Sequence, residues 1–312
     1  MISVIIPVYN NEDFIEKAIT SALIQKEVSE VLVVNDGSTD RTSAILDTLA
    51  TKHAHLKVLY HPGSSNRGRS ASRNLGIQQA KNEYIAFLDS DDFYLENRFA
   101  LDLQLLLEHA HIDGVYSALG VKFYRPYTEE EYALLKLTTI ATELLPEELF
   151  YHMEPIGDQG YFSGDCLTVR KSIFDKTGVF NEALKVCEDT HLWIRMSLKA
   201  RLYPGILGQA VTVRGIHDEN VFNQPDLYIT YRREAFYDLV LWAIRHQIDQ
   251  SKLELLWKLY FNYSTQYTPF KKEVVDELSI LMQAPRLLFS RFFIKNNIFT
   301  LYLQSLWKRF IK

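Results

Sequence analysis

The sequence predicts an α/β fold built on a mostly parallel central sheet, followed by a helical region. Three observations predict it: short β-branched runs suited to buried parallel strands, stretches of helical period between them, and polar residues gathered where those runs end.

The runs ISVIIPV (2–8), EVLVVN (30–35), KVLY (57–60) and YIAFL (84–88) read as strands. Between the first two, Phe14, Ile15, Ala18, Ile19, Ala22 and Leu23 recur at three- and four-residue steps, which predicts a helix within 12–24. Residues 40–50 and 70–80 repeat that pattern weakly and 95–110 strongly. The segments TEEEYALLKL and PEELFYHM predict short helices in a variable connection over 115–160. A strand at 165–170 and a helix from about 189 to 200 follow. After residue 218 the alternation stops and the chain reads as helical and aromatic, so a catalytic domain over 1–218 and a helical region over 219–312 are expected.

With 312 residues the chain can bury a large core. Apolar residues make up 47% and charged residues 23%, the proportions of an ordinary folded protein. A formal charge of −5, from 34 basic and 39 acidic residues, argues against a nucleic-acid binder. The two cysteines, Cys166 and Cys187, form neither a metal knuckle nor a disulfide framework, so a reducing compartment is expected. MISVIIPVYN lacks the charge and length of a signal peptide, and no stretch approaches the roughly 20 apolar residues of a membrane span. A cytoplasmic protein is expected, at the inner face of the membrane if its tail binds lipid.

Parallel sheets bind ligands at the carboxyl ends of their strands. Tyr9, Asn10 and Glu12 follow the first run, Asp36 the second, and Asp89, Asp91 and Asp92 the fourth. No GxGxxG or GxxxxGK[ST] follows any strand, so the dinucleotide and P-loop cradles are missing. Each motif has two readings. In FLDSDD, Asp91 or Asp92 caps a helix beginning near Tyr94, or the crowded acids share a cation. A hard divalent ion such as Mg²⁺ or Mn²⁺ suits carboxylates plus phosphate oxygens. In VVNDGSTDRT the turn merely starts a helix at Ser38 to Asp40, or Asp36 accepts a hydrogen bond from a nucleobase. In NRGRSASRNLGI, Arg69 and Arg73 are surface residues or face phosphate. In CEDTHLWIR, Glu188 and Asp189 favour a helix start, or one of them is a general base. His217, in VTVRGIHDEN, is a surface imidazole or adds nitrogen to a metal shell.

The order IPVYN, VNDGSTD, NRGRSASRN, FLDSDD, GVFNE, ED and then His217 resembles the family 2 glycosyltransferases with the GT-A fold, over roughly residues 1–220. The resemblance implies an inverting enzyme that takes a sugar from a nucleotide diphosphate sugar, most simply a UDP-sugar, to a glycan or lipid-linked acceptor. It implies nucleotide-sugar contacts from Pro7, Tyr9, Glu12, Asp36, Arg73 and Asp89. It places Mn²⁺ or Mg²⁺ on Asp91 with His217, leaves Asp92 as a cap or supporting residue, and makes Asp189 the base with Glu188 beside it. Many relatives have a second acid where this chain has Asn35, which leaves the nucleotide less defined. The QxxRW motif of processive synthases is missing, so single transfer is expected. A sugar-nucleotide nucleotidyltransferase is the first rival, although IPVYNNEDF has neither the glycine nor the basic residue such an enzyme needs. A carbohydrate-binding protein without activity is the second.

Residues 278–312 contain no acid and six basic residues, Arg286, Arg291, Lys295, Lys308, Arg309 and Lys312. Leu287, Phe289, Phe292, Phe293, Ile298, Phe299, Tyr302, Leu306, Trp307 and Phe310 are interleaved with them. Such helices either lie in a membrane interface or cap the catalytic domain.

Overall fold

A computed structural model describes residues 1–220, 223–267, 270–290 and 293–294. The chain divides into two compact units, Met1–Asn223 and a second that begins at Gln224.

The first unit holds a seven-stranded sheet. Its strands are β1 (Ile2–Val8), β2 (Val28–Asn35), β3 (Leu56–Tyr60), β4 (Tyr84–Phe87), β6 (Gly114–Tyr116), β8 (Leu167–Arg170) and β9 (Leu202–Pro204), in the spatial order β3-β2-β1-β4-β8-β6-β9. The β1–β2, β2–β3, β1–β4 and β6–β9 pairs are parallel, and β8 runs antiparallel to both β4 and β6. A second sheet of three strands places β10 (Ala210–Ile216) between β5 (Phe93–Tyr94) and β7 (Ala118–Phe123).

Alternating residues of β1 face two cores, as the strand period requires. Ile2, Val4 and Ile6 pack with Ile15, Ala18 and Ile19 of α1 (Ile15–Leu23) and with Leu46 of α2 (Thr42–Lys52). Ile5, on the other face, joins Ile77 of α3 (Arg69–Gln79), Ile173 of α7 (Ile173–Thr177) and Leu192 and Trp193 of α8 (Glu188–Lys199). Gly76 fixes how close α3 comes, because a Cβ there would lie 2.4 Å from Ile5 Cγ2. Register aligns the functional ends: Pro7 pairs with Val34 and Val8 with Asn35, so Tyr9 and Asp36 emerge together.

Three expected boundaries differ. Residues 93–94 form a strand of the small sheet, and the next helix, α4, spans Ala100–Glu108, so neither Asp91 nor Asp92 caps a helix near Tyr94. The Asp92 carboxylate instead accepts a hydrogen bond from Gly215 N at 2.8 Å. Helix α2 begins at Thr42 rather than within Ser38–Asp40, since the Asp40 carboxylate accepts from Thr42 N at 3.0 Å. Gly164–Cys166 form a one-turn helix ahead of β8. The short helices of the connection are α5 (Glu129–Leu135) and α6 (Pro146–His152).

The second unit contains α9 (Pro225–Arg245), α10 (Gln250–Tyr267) and α11 (Phe270–Gln283). Among the described residues no helix is long and apolar enough to cross a membrane. Of the basic and aromatic tail, Arg291, Phe292, Lys295, Ile298, Phe299, Tyr302, Leu306, Trp307, Lys308, Arg309, Phe310 and Lys312 lie outside the described residues.

Candidate active site

The first two strand ends are tied to each other before any ligand is considered. Pro7 is buried within β1, and Tyr9, just beyond it, is exposed. Asn10 has a left-handed backbone, which asparagine tolerates better than most residues. Its side-chain carbonyl accepts from Thr39 N at 2.7 Å. The Glu12 carboxylate accepts from Arg41 N at 2.7 Å and from Arg41 Nε at 3.1 Å, and these bonds lower its pKa. Asp36 is buried, with its two oxygens accepting from the backbone amides of Arg67 at 2.7 Å and Gly68 at 2.8 Å. This anchors the loop that starts α3.

One turn into α3, Arg73 is buried between two acids. Its Nη1 donates to Glu188 Oε1 at 2.8 Å and its Nη2 to Asp89 Oδ1 at 2.6 Å. The guanidinium fork is therefore already paired, while Arg69 Nε lies 3.8 Å from Glu188. Burial and the neighbouring Asp189 raise the pKa of Glu188, with Arg73 opposing them. Burial works against ionisation of Asp89 as well, but Arg73 and Arg69 outweigh it and hold that carboxyl low. Asp189 is exposed, next to Glu188 in the first turn of α8, and its carboxylate accepts from Thr190 N at 2.6 Å.

Asp91 and His217 meet across the small sheet. His217 Nε2 lies 3.0 Å from Asp91 Oδ2, and the side chains are 18% and 25% exposed. The hydrogen bond to Asp91 raises the pKa of His217, against the effect of burial. Phe14 stacks on the imidazole at 5.1 Å between ring centres. Gly215 permits the approach: a Cβ there would meet the Asp91 carbonyl oxygen at 2.4 Å. One carboxylate and one imidazole, partly exposed and adjacent, supply oxygen and nitrogen donors of the kinds divalent ions take.

Sequence reasoning missed two residues here. Asp165, in the turn before β8, accepts from Asp89 N at 2.7 Å. Carboxylate oxygens of Asp89, Asp92 and Asp165 all lie within 4.8 Å of one another. Burial and then the charge of Asp89 push the Asp165 carboxyl up to about 6, and burial with Asp165 raises Asp92 further from its ordinary value. Arg214 supplies positive charge beside both Asp92 and Asp165. SGDC carried no motif that could have revealed this. Asn220 is the other omission. Its amide donates to Asp91 Oδ2 at 3.1 Å, and its carbonyl accepts from His217 N at 2.6 Å. The only signal was its place three residues after His217.

Glu188, Arg73 and Asp89 are thus directly bonded, Asp165 links Asp89 to Asp92, and Gly215 links Asp92 to the strand that leads to His217. Asn11 Nδ2 donates to Ser90 Oγ at 2.7 Å, joining the first strand end to the acidic turn. Pro7, Tyr9, Glu12 and Asp36 line the neighbouring strand ends.

A central mixed sheet with acids clustered at its strand ends and a small second sheet beside it is the GT-A glycosyltransferase architecture. The S. aureus TarS 1-349 structure in complex with UDP-GlcNAc matches with a TM-score of 0.62 and 22% identity, over 86% of this chain and 73% of that one. The mannosyltransferase PcManGT from Pyrobaculum calidifontis, in complex with GDP-Man and Mn²⁺, matches with a TM-score of 0.56 and 15% identity, over 97% and 85%. At these identities the likeness establishes the fold. The family model "Glycosyl transferase family 2" matches residues 3–178, more than half of the chain. The protein belongs to that family. An uncharacterized glycosyltransferase of Mycoplasma pneumoniae is 30% identical over 210 residues, 62% of this chain and 67% of the relative. Another, of Haemophilus influenzae, is 36% identical over 110 residues, 35% and 43%. A third, of Rickettsia conorii, is 30% identical over 228 residues, 73% and 35%, so the chain spans less than half of those last two relatives.

Proposed function

We propose that the chain transfers a sugar, with inversion, from a nucleotide diphosphate sugar to an acceptor hydroxyl in glycan or glycoconjugate synthesis. A UDP-sugar is the first donor to test, because TarS 1-349 is described with UDP and with UDP-GlcNAc. The observation that carries the reading is the Glu188–Arg73–Asp89 bridge, which puts the acids of two separate segments on one guanidinium.

Asp189 is assigned as the base. It is exposed at the end of a helix, while its neighbour Glu188 is locked on Arg73 and cannot reach an acceptor. Asp189 takes the proton from the acceptor hydroxyl, whose oxygen attacks the anomeric carbon as the nucleotide diphosphate departs. Asp36 is assigned to the base of the nucleotide: each of its oxygens keeps a second lone pair beyond those given to Arg67 and Gly68. Pro7, Tyr9 and Glu12 shape the same end, with Glu12 acting through its clamp on Arg41. Asp89 faces the donor, and Arg73 holds it in place rather than binding phosphate itself.

Asp91 and His217 are assigned to a divalent ion, Mn²⁺ or Mg²⁺. When bound, such an ion neutralises charge on the leaving diphosphate. His217 must lose its proton to serve as a ligand, and Asn220 keeps Asp91 oriented when it does.

The test is transfer or donor hydrolysis by the purified chain with a panel of nucleotide sugars and Mn²⁺. Turnover of one or more sugars supports the assignment. Donor binding without turnover, across the panel and with varied acceptors, would instead favour a carbohydrate-binding protein.

A further inference from the structure

Helix α11 is inside out. Its inward acids are Asp276, paired with Arg233 of α9, and Glu277, which accepts from Trp257 Nε1 of α10 at 3.0 Å. Ile280 is buried on the same side. Facing outward are Val275, Leu278 and Met282, at 57%, 53% and 77% exposure. At 3.6 residues per turn these three fall within a sector of about 60°. Phe289 and Ile294, beyond the helix, are also exposed.

A helix that packs in water ordinarily turns its apolar stripe to the core and its charges outward. The reverse arrangement leaves apolar side chains in solvent, and a contiguous patch of that kind marks a surface with a partner. Charge selects among partners. From residue 278 onward the sequence has six basic residues and no acid. Arg286, exposed two residues after α11 and its following alanine, is the first of them. An apolar strip followed in the sequence by six basic residues and no acid is complementary to a surface that is oily within and anionic at its boundary.

We propose that the outward face of α11, with Phe289 and Ile294, docks on an anionic lipid bilayer. Val275, Leu278 and Met282 enter the boundary between headgroups and acyl chains, while Arg286 meets the headgroups. Nothing in the site at the strand ends is needed for this contact, so it stands or falls apart from the donor reading. A second copy of the chain is the competing occupant.

The test is co-sedimentation of the full-length chain with vesicles of phosphatidylcholine alone and of phosphatidylcholine mixed with phosphatidylglycerol. The full chain is expected to bind the anionic vesicles, more weakly at high salt, and to leave neutral vesicles largely unbound. Leu278→Glu/Met282→Glu should lower that partitioning by about tenfold or more, with unchanged circular dichroism. Leu278→Ser/Met282→Ser, which adds no charge, should lower it in the same direction. Wild-type partitioning by both variants overturns the proposal, as does failure of the full chain to bind anionic vesicles. So does a dimer in sedimentation velocity that both variants dissociate.

Discussion

Asn220 donates its amide hydrogen to Asp91 Oδ2 at 3.1 Å while its carbonyl holds the backbone nitrogen of His217 at 2.6 Å. One buried side chain therefore sets the spacing of the two groups assigned to the metal. Asn220→Ala should weaken Mn²⁺ binding about tenfold or more, within the range known for residues that orient metal ligands. Calorimetry with Mn²⁺ and UDP on Asn220→Ala and His217→Ala reads this without any turnover. Retained affinity in Asn220→Ala beside a loss in His217→Ala would assign Asn220 to folding alone.

Arg73 bridges Glu188, which is buried, and Asp89, which is partly exposed. Arg73→Met should destabilise the fold by about 3 kcal/mol, because the buried Glu188 would lose its hydrogen-bonded counter-charge and keep only the more distant Arg69. Urea unfolding measures it. Arg73→Met/Glu188→Gln should recover part of the loss. Equal stability of the two variants would mean that the ion pair carries none of it.

The acid cluster gives a pH dependence with a definite sign. Burial and then the charge of Asp89 push the Asp165 carboxyl up to about 6, while a free aspartate titrates near 4. The folded state therefore holds this proton more tightly, and the stability that Asp165 contributes is full below about pH 4 and is lost as pH rises through about 6. Asp165→Asn should flatten that decline, which amounts to about 2–3 kcal/mol at most. Thermal unfolding at stepped pH shows the difference. A parallel fall in both proteins would place the proton elsewhere.

Gly76 predicts a packing effect on function. Gly76→Ala drives a methyl toward Ile5 and should cost about 1–3 kcal/mol by overpacking. Because α3 also carries Arg73, KM for the donor should rise along with the loss of stability. Gly76→Ala/Ile5→Ala, which removes both γ carbons that the new methyl would meet, should bring KM back toward the wild-type value.

The strands legible in the sequence were those whose burial on both faces demands unbroken apolar runs: β1, β2, β3 and β4 appear within two residues of their expected limits. The helix expected at 95–110 starts late because Phe93 and Tyr94 are captured by β10, a partner more than a hundred residues away. No local period encodes that. In the site, Asp36, Asp89, Asp91 and Glu188 were visible because they sit at strand ends or helix starts. Asp165 and Asn220 were not, since each acts through one long-range bond, to Asp89 N and to Asp91 respectively. The pairing of Arg73 was also hidden: an arginine in a loop motif reads as a phosphate ligand until both its carboxylate partners are placed.

The most direct test is Asp189→Asn, assayed for donor binding by calorimetry and for transfer by product formation. Donor affinity should be unchanged, and transfer should fall by roughly 10²–10⁴-fold, the contribution of a positioned general base. Transfer near the wild-type rate would contradict the assignment of Asp189 and, with it, the mechanism built on the first turn of α8.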